Sequence, residues 1–388
     1  MIKFGIDRLL AQAPQWKQSR LGLVTNHAAT TNTLVPSREA LLKNGFQLKK
    51  LFSPEHGLDV QGADGHQMHD GMDVLTQLPV TSLYSEKLVP TADDLSDVDI
   101  VLFDIPDVGS RFYTYLWTMT HVMEACAANG KKMILLDRPN PISGLIELAE
   151  GPLLEEHQAS FIGRWPIPVR HSCTLGELAI YFNTERHIGC DLEVITCEGW
   201  RRDMFQPGWG TTFVATSPAI RRFEAMLLYP GLCLLEATNI SEGRSTEFSF
   251  TGLGAPWICG EELAQMLNQL GMDEVKLKPV SFVPKEGRYA EQRCNGIQLD
   301  IIDPVVFKPV YLGMLLVKMV KERYREFAWD LYPTMVNPDG KYHLDKLLGV
   351  PGTEQLFDLP LHKFLARTER ITGAGDWKDM IASSLLYQ

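Results

Sequence analysis

Five short apolar runs, at residues 21–25, 48–52, 80–84, 100–104 and 133–137, end 27, 32, 20 and 33 residues apart. A strand–helix–strand unit takes about 30 residues, so this rhythm predicts parallel strands joined by helical crossovers. Helical patterns fill the gaps where the rhythm needs them. Residues 36–44 read as a helix stopped at Gly45, and residues 113–129 as one capped by Ser110 or Thr114 and stopped at Gly130. A helix at 174–184 and a strand at 192–197 complete the pattern. The expectation is an α/β fold with an N-terminal Rossmann-like parallel sheet domain over residues 1–210.

The texture then changes. Residues 199–218, rich in glycine, proline, tryptophan and threonine, read as a crossing segment. Beyond it, strand-like runs at 226–237, 276–283 and 296–302 mix with helices at 260–270, 309–325 and after Gly352. That order suggests a C-terminal α+β domain over residues 211–388.

Several functional classes fall away. Lysine and arginine number 37 against 48 aspartates and glutamates, a net charge of −11 without basic blocks, so nucleic acid is not expected as a partner. The longest apolar stretches are broken by Pro230-Gly231 and Lys318, so no membrane span is expected. The N-terminal residues lack a signal-peptide pattern, and seven cysteines include no C-x-x-C pair. Both point to a cytoplasmic protein with reduced thiols. No G-x-G-x-x-G follows the first strand, and the chain has no G-x-x-x-x-G-K-S/T or G-x-S-x-G. Nucleotide-binding and α/β-hydrolase versions of the fold lose support, and no cofactor is expected.

The loop after each predicted strand is loaded with polar groups: Asn26-His27, Glu55-His56-Gly57, Ser85-Glu86, Asp104 to Arg111, and Asp137-Arg138-Pro139-Asn140. In a parallel sheet these loops share one rim, where ligands bind. Glu55 lies between Pro54 and Gly57, and a part-buried carboxyl there can serve as a general acid. His56 can bind substrate or hold a carboxylate. Asp104 and Asp107 flank Ile105-Pro106, and strand-end aspartates also cap backbone amides. Arg111 offers a fork for a substrate carboxylate or a clamp for those aspartates. Tyr113, Tyr115 and Trp117 can line a sugar-sized pocket or simply pack.

The glycine-rich stretch 57–71 holds His66 and His69, which with His27 and His56 raise a metal reading, although their spacing is not a zinc signature. In the second half, residues 235–247 carry Glu236, Asn239, Glu242, Arg244 and Glu247. Glu236 ends an apolar run, where a charge needs partners or a role, and Arg244 suits an anion.

The strings Ser53-Pro54-Glu55-His56-Gly57, Asp104-Ile105-x-Asp107-Val108-Gly109-x-Arg111-Phe112-Tyr113-Thr114-Tyr115 and Asp137-Arg138-Pro139-Asn140-Pro141 resemble the NamZ-type exo-β-N-acetylmuramidases. So do Glu236-x-Thr238-Asn239-x-Ser241-x-Gly243-Arg244-x-Thr246, Gly254-Ala255-Pro256-Trp257 and Asp345-Lys346-Leu347-x-Gly349. The resemblance runs in order from about residue 5 to the C-terminus. It implies a site in the cleft between the two domains and exo-cleavage of terminal N-acetylmuramic acid from peptidoglycan fragments. It also implies Glu55 as catalytic acid. The sequence departs from the pattern at Pro106, Ala237 and Ser245, and at Leu58-Asp59-Val60 beside the Glu55 motif.

The expectation is therefore a glycoside hydrolase acting on a muramic-acid-containing saccharide or muropeptide. Its catalytic candidates are Glu55, Glu236 and Asp107. Its substrate-binding candidates are Asn26, His27, His56, Arg111, Tyr113, Asn239 and Arg244. Arg111 or Arg244 would pair the lactyl carboxylate. Retention, inversion and substrate assistance all stay open. A metal-dependent hydrolase and a non-catalytic muropeptide-binding protein are the alternatives.

Overall fold

The computed structural model describes residues 1–388. The first half holds α1 (Gly5–Leu10), β1 (Leu21–Thr25), α2 (Ser37–Lys43), β2 (Leu48–Ser53), β3 (Gly71–Met72), β4 (Pro79–Ser82) and β5 (Ile100–Asp104). It continues with α3 (Tyr115–Ala128), β6 (Lys132–Leu136), α4 (Leu175–Glu185) and β7 (Asp191–Ile195). The strands form one seven-stranded sheet in the order β3-β4-β2-β1-β5-β6-β7. Every pairing is parallel except β3 with β4.

The two faces of this sheet are buried in different cores, which is why its central strands read as unbroken apolar runs. Leu21, Leu23, Leu51, Leu102 and Ile134 face a core shared with α1 and α2. Their neighbours Val24, Phe52, Val101, Phe103 and Met133 face the larger core, with α3, α4 and the helices of the second half. The strand order reverses direction between β1 and β5. Ligands gather outside the carboxyl ends of strands at such a point.

The second half contains α5 (Phe223–Leu232), β8 (Gly252–Ala255), α6 (Gly260–Asn268), β9 (Val275–Phe282), β10 (Cys294–Ile301), α7 (Pro309–Arg323) and α8 (His343–Leu348). Short helices Thr353–Leu356 and Leu361–Ile371 follow. Strands β8, β10 and β9 make a small antiparallel sheet in that order.

One element departs from expectation. Residues 226–237 do not form a strand but belong to α5 and a 3₁₀ turn, Cys233–Ala237. The run is apolar because α5 is buried on nearly every side, and a helix buried all round carries no periodic stripe to distinguish it. Gly231 sits at its crossing with α7, where a Cβ would come within 1.9 Å of the Pro309 carbonyl oxygen.

No helix is long and apolar enough to cross a membrane. All seven cysteines are free, and only Cys259 is exposed.

Candidate active site

The loop after β2 builds the centre of the site. His56 takes φ +66° and Gly57 φ +74°. A left-handed backbone is uncommon for histidine and is held only where surrounding contacts demand it. Here the contacts are reciprocal. His56 Nδ1 donates to the Gly62 carbonyl at 2.8 Å, and the Gly62 amide donates to the His56 carbonyl at 3.0 Å. The ring so closed turns Asp64-Gly65 back onto Glu55. The Gly65 amide donates to Glu55 Oε1 at 2.9 Å, and Thr114 Oγ1 donates to Oε2 at 2.6 Å. Thr114 stands at the N-terminus of α3 but gives its hydroxyl to Glu55 rather than capping the helix.

Glu55 is buried, at 5% exposure. Burial pushes its carboxyl above the ordinary glutamate range and Asp64 adds to the push, against His56, Thr114 and Gly65. Asp64 goes the other way. Burial acts upward on it, but Arg244, His56, Tyr332 and His343 together hold it below the ordinary aspartate range. Tyr332 Oη donates to Asp64 Oδ2 at 2.5 Å, and Arg244 Nη2 lies 3.6 Å from the same oxygen. One oxygen each of Glu55 and Asp64 and a His56 ring nitrogen lie within 4.8 Å of one another.

The second half supplies the facing wall. Glu236 lies in the turn after α5, with Oε1 on Arg244 and Oε2 on His343 Nε2 at 3.0 Å. Arg244 also donates through Nε to Glu242 at 2.6 Å and lies over the Phe250 ring at 4.7 Å. His343 stacks on Tyr332 with ring centres 4.5 Å apart. Tyr84, Tyr113, Phe161 and Tyr229 add aromatic surface to the cleft between these groups. Convergent polar groups among aromatic walls suit a saccharide ligand.

The family described as Exo-beta-N-acetylmuramidase NamZ matches this chain, its N-terminal part over residues 21–224 and its C-terminal part over residues 227–387. The chain belongs to the NamZ family. The Peptidoglycan beta-N-acetylmuramidase NamZ of Bacillus subtilis (strain 168) is 41% identical over 327 residues, covering 84% of this chain and 78% of that protein. Two DUF1343 family proteins of Bacteroides fragilis NCTC 9343, known as crystal structures, share the fold. One superposes with a TM-score of 0.88 at 29% identity, covering 100% of this chain and 99% of that one. The other gives a TM-score of 0.74 at 26% identity over the same shares.

Within this NamZ-family cleft stand five of the residues singled out from sequence: Glu55, His56, Tyr113, Glu236 and Arg244. The others lie elsewhere. Asn26 is buried, with Oδ1 accepting from the Ala28 amide at 3.0 Å in the turn after β1. His27 is exposed, with Nδ1 3.2 Å from Arg38 Nη2. Asn239 ties down another loop, accepting from the Ala328 amide at 2.9 Å and donating to the Glu326 carbonyl at 2.8 Å.

Asp107 accepts from the Gly109 amide at 2.8 Å and from His171 Nε2 at 3.1 Å. It borders a separate cavity and does not face Glu55, so the geometry gives it no part as a second catalytic group. Arg111 is fully buried. It pairs neither aspartate but donates to the Pro152, Ile167 and Leu347 carbonyls at 2.7–2.8 Å. Burial pulls its pKa down to about 9. In this structure it clamps three backbone carbonyls and presents no surface to a ligand. Asp104 pairs Arg138 instead, at 2.6 and 3.0 Å.

The four histidines of the metal reading are not gathered either. His27, His66 and His69 are exposed, and only His56 lines the cleft. The group able to hold a cation is Glu55, His56 and Asp64. Sequence reasoning missed Asp64, Thr114, Tyr332, His343, Asn337 and Lys346, all of which line the cleft. For Asp64 a signal was present, since Gly65 follows it in a glycine-rich loop. Lys346 stood inside a family motif.

Proposed function

We propose that this protein is an exo-acting glycoside hydrolase that releases terminal N-acetylmuramic acid from peptidoglycan fragments. The observation that carries the reading is the pair Glu55 and Asp64, close together at an aromatic-lined cleft with their acidities pushed apart. Two carboxyls so divided form an acid and an ionised partner. Glu55, protonated, donates to the leaving oxygen. Asp64, ionised, serves the anomeric carbon, either as nucleophile or by orienting the substrate's own acetamido oxygen. Carboxyl oxygens this close suit a retaining pair, and in this reading both routes retain configuration.

In this reading Glu236, expected as a catalytic candidate, serves as a positioning group, because Arg244 holds one of its oxygens and His343 the other. The activity of the B. subtilis relative supports the substrate class. The division at about residue 210 belongs to the same reading, supported by the two sheets, which lie on either side of it. Free thiols suit a reducing compartment, and we place the protein in the cytoplasm, acting on small muropeptides.

The test is hydrolysis of a chromogenic aryl β-N-acetylmuraminide beside the matching N-acetylglucosaminide. Cleavage of the first and not the second is expected. Equal rates, or none on either, overturn the reading.

A further inference from the structure

A muraminide differs from a glucosaminide by a lactyl ether, whose carboxylate is anionic at neutral pH. An enzyme that discriminates the two needs an unengaged cation at its cleft. Arg244 does not meet that need, because Glu236, Glu242 and Asp64 already surround it and three carboxylates outweigh one guanidinium. His343 is committed to Glu236, and His56 spends its Nδ1 proton on Gly62. Arg111 lies outside the cleft.

Lys346 remains. It lines the cleft from α8 and, unlike Arg244, forms no ion pair with a carboxylate. Its Nζ donates to Asn337 Oδ1 at 2.6 Å, which leaves two of the three ammonium donors available. Asn337 also lines the cleft, and its Nδ2 is buried with no acceptor. A buried amide donor left unpaired costs stability unless something fills it. The ammonium, held in place by the Asn337 carbonyl oxygen, offers its two remaining donors to a carboxylate.

We infer that Lys346 and Asn337 form the seat for the substrate's lactyl carboxylate, an assignment that rests on the muramidase reading above. The seat is joined mechanically to the acid. Asn337 closes a tight turn with Thr334, each amide donating to the other's carbonyl at 3.1 Å. Inside that turn the Met335 amide donates to the Gly65 carbonyl at 3.0 Å. Gly65 is the residue whose own amide holds Glu55. Filling the seat therefore fixes the turn that supports the catalytic loop, which ties recognition of the lactyl group to placement of the proton donor.

The experiment compares an aryl muraminide with the same compound carrying a neutral lactyl amide. Wild type should prefer the charged substrate by about 10- to 100-fold in kcat/KM, the worth of a charge-assisted hydrogen bond. Lys346→Met should bring that ratio close to one, mainly through KM, and Lys346→Arg should restore part of it. Asn337→Asp, which sets a carboxylate against the seat, should lower the ratio as well and serves if Lys346→Met does not fold. An unchanged ratio in folded Lys346→Met overturns the seat. So does a wild type that cleaves both compounds equally well, while leaving the muramidase reading standing. A wild type that cleaves no muraminide overturns that reading, and the seat with it.

Discussion

Glu55 and Asp64 share one loop and hold carboxyl oxygens within 4.8 Å of each other, yet their surroundings drive their acidities in opposite directions. Asp64 is held below the ordinary aspartate range by Arg244 first, then by His56 of its own loop and by Tyr332; Arg244 and Tyr332 come from the other half of the chain. Its negative charge is in turn one of the causes that keep the proton on Glu55.

Replacing Glu55 by Gln keeps the shape and removes the transferable proton. Turnover of a natural disaccharide should fall by roughly 10²–10⁴-fold with little change in binding. An aryl muraminide with a good leaving group should lose far less, because a nitrophenolate departs unprotonated. Steady-state kinetics on the two substrates check this, and near wild-type turnover of the disaccharide would make Glu55 an ordinary loop residue.

The pH dependence has a definite sign. Glu55 acts protonated, so activity is present below its raised pKa and is lost as pH climbs through it. Asp64 acts ionised, so activity is present above its lowered pKa and is lost as pH falls through it. The profile of kcat/KM is a bell. In Asp64→Asn the rate should drop by about 10² or more, and the alkaline limb should move to lower pH because one cause of the Glu55 elevation is gone. Thr114→Val removes a donor that favours ionised Glu55 and should move the same limb upward. Limbs that stay put in both variants would detach the profile from Glu55.

The closeness of the Glu55 and Asp64 oxygens predicts a retained configuration. Proton NMR of the first product formed should show the β anomer of N-acetylmuramic acid, before mutarotation mixes the signals. The α anomer appearing first would require a water-activating base farther from Glu55.

Arg111→Met should act on stability, not on recognition. It strips the partners from three buried carbonyls and costs about 3–5 kcal/mol. Urea denaturation measures the loss. A variant of normal stability with a raised KM would return Arg111 to the substrate.

Activity should survive exhaustive dialysis against EDTA. A loss that a divalent cation restores would assign Glu55, His56 and Asp64 to a metal.

Much of the first half was legible because a sheet buried on both faces leaves long apolar runs at the pitch of its crossovers. Glu55, which the fold places in the cleft, stood out because Pro54 and Gly57 bracket it. Asp107 and Arg111 misled for a shared reason. A strand-end aspartate and an arginine carry the same chemistry whether they meet a ligand or the protein's own backbone, and only the fold shows which. Asp64 hid because its partners, Arg244 and Tyr332, lie far along the chain, and nothing local marks that meeting. The α5 misreading had a different origin, since a helix buried all round shows no period.

The clamp made by Arg111 reaches across 236 positions to the Leu347 carbonyl, beside Lys346. Gly349 is kept small by it, since a Cβ there would come within 2.6 Å of the guanidinium. An inherited change at either end therefore calls for an answering change at the other. Among relatives, positions 111 and 349 should vary together or not at all, while the main-chain acceptor at 347 tolerates any side chain. A chimera that splices the first half of one relative to the second half of another should keep its stability only where both parents carry that same contact.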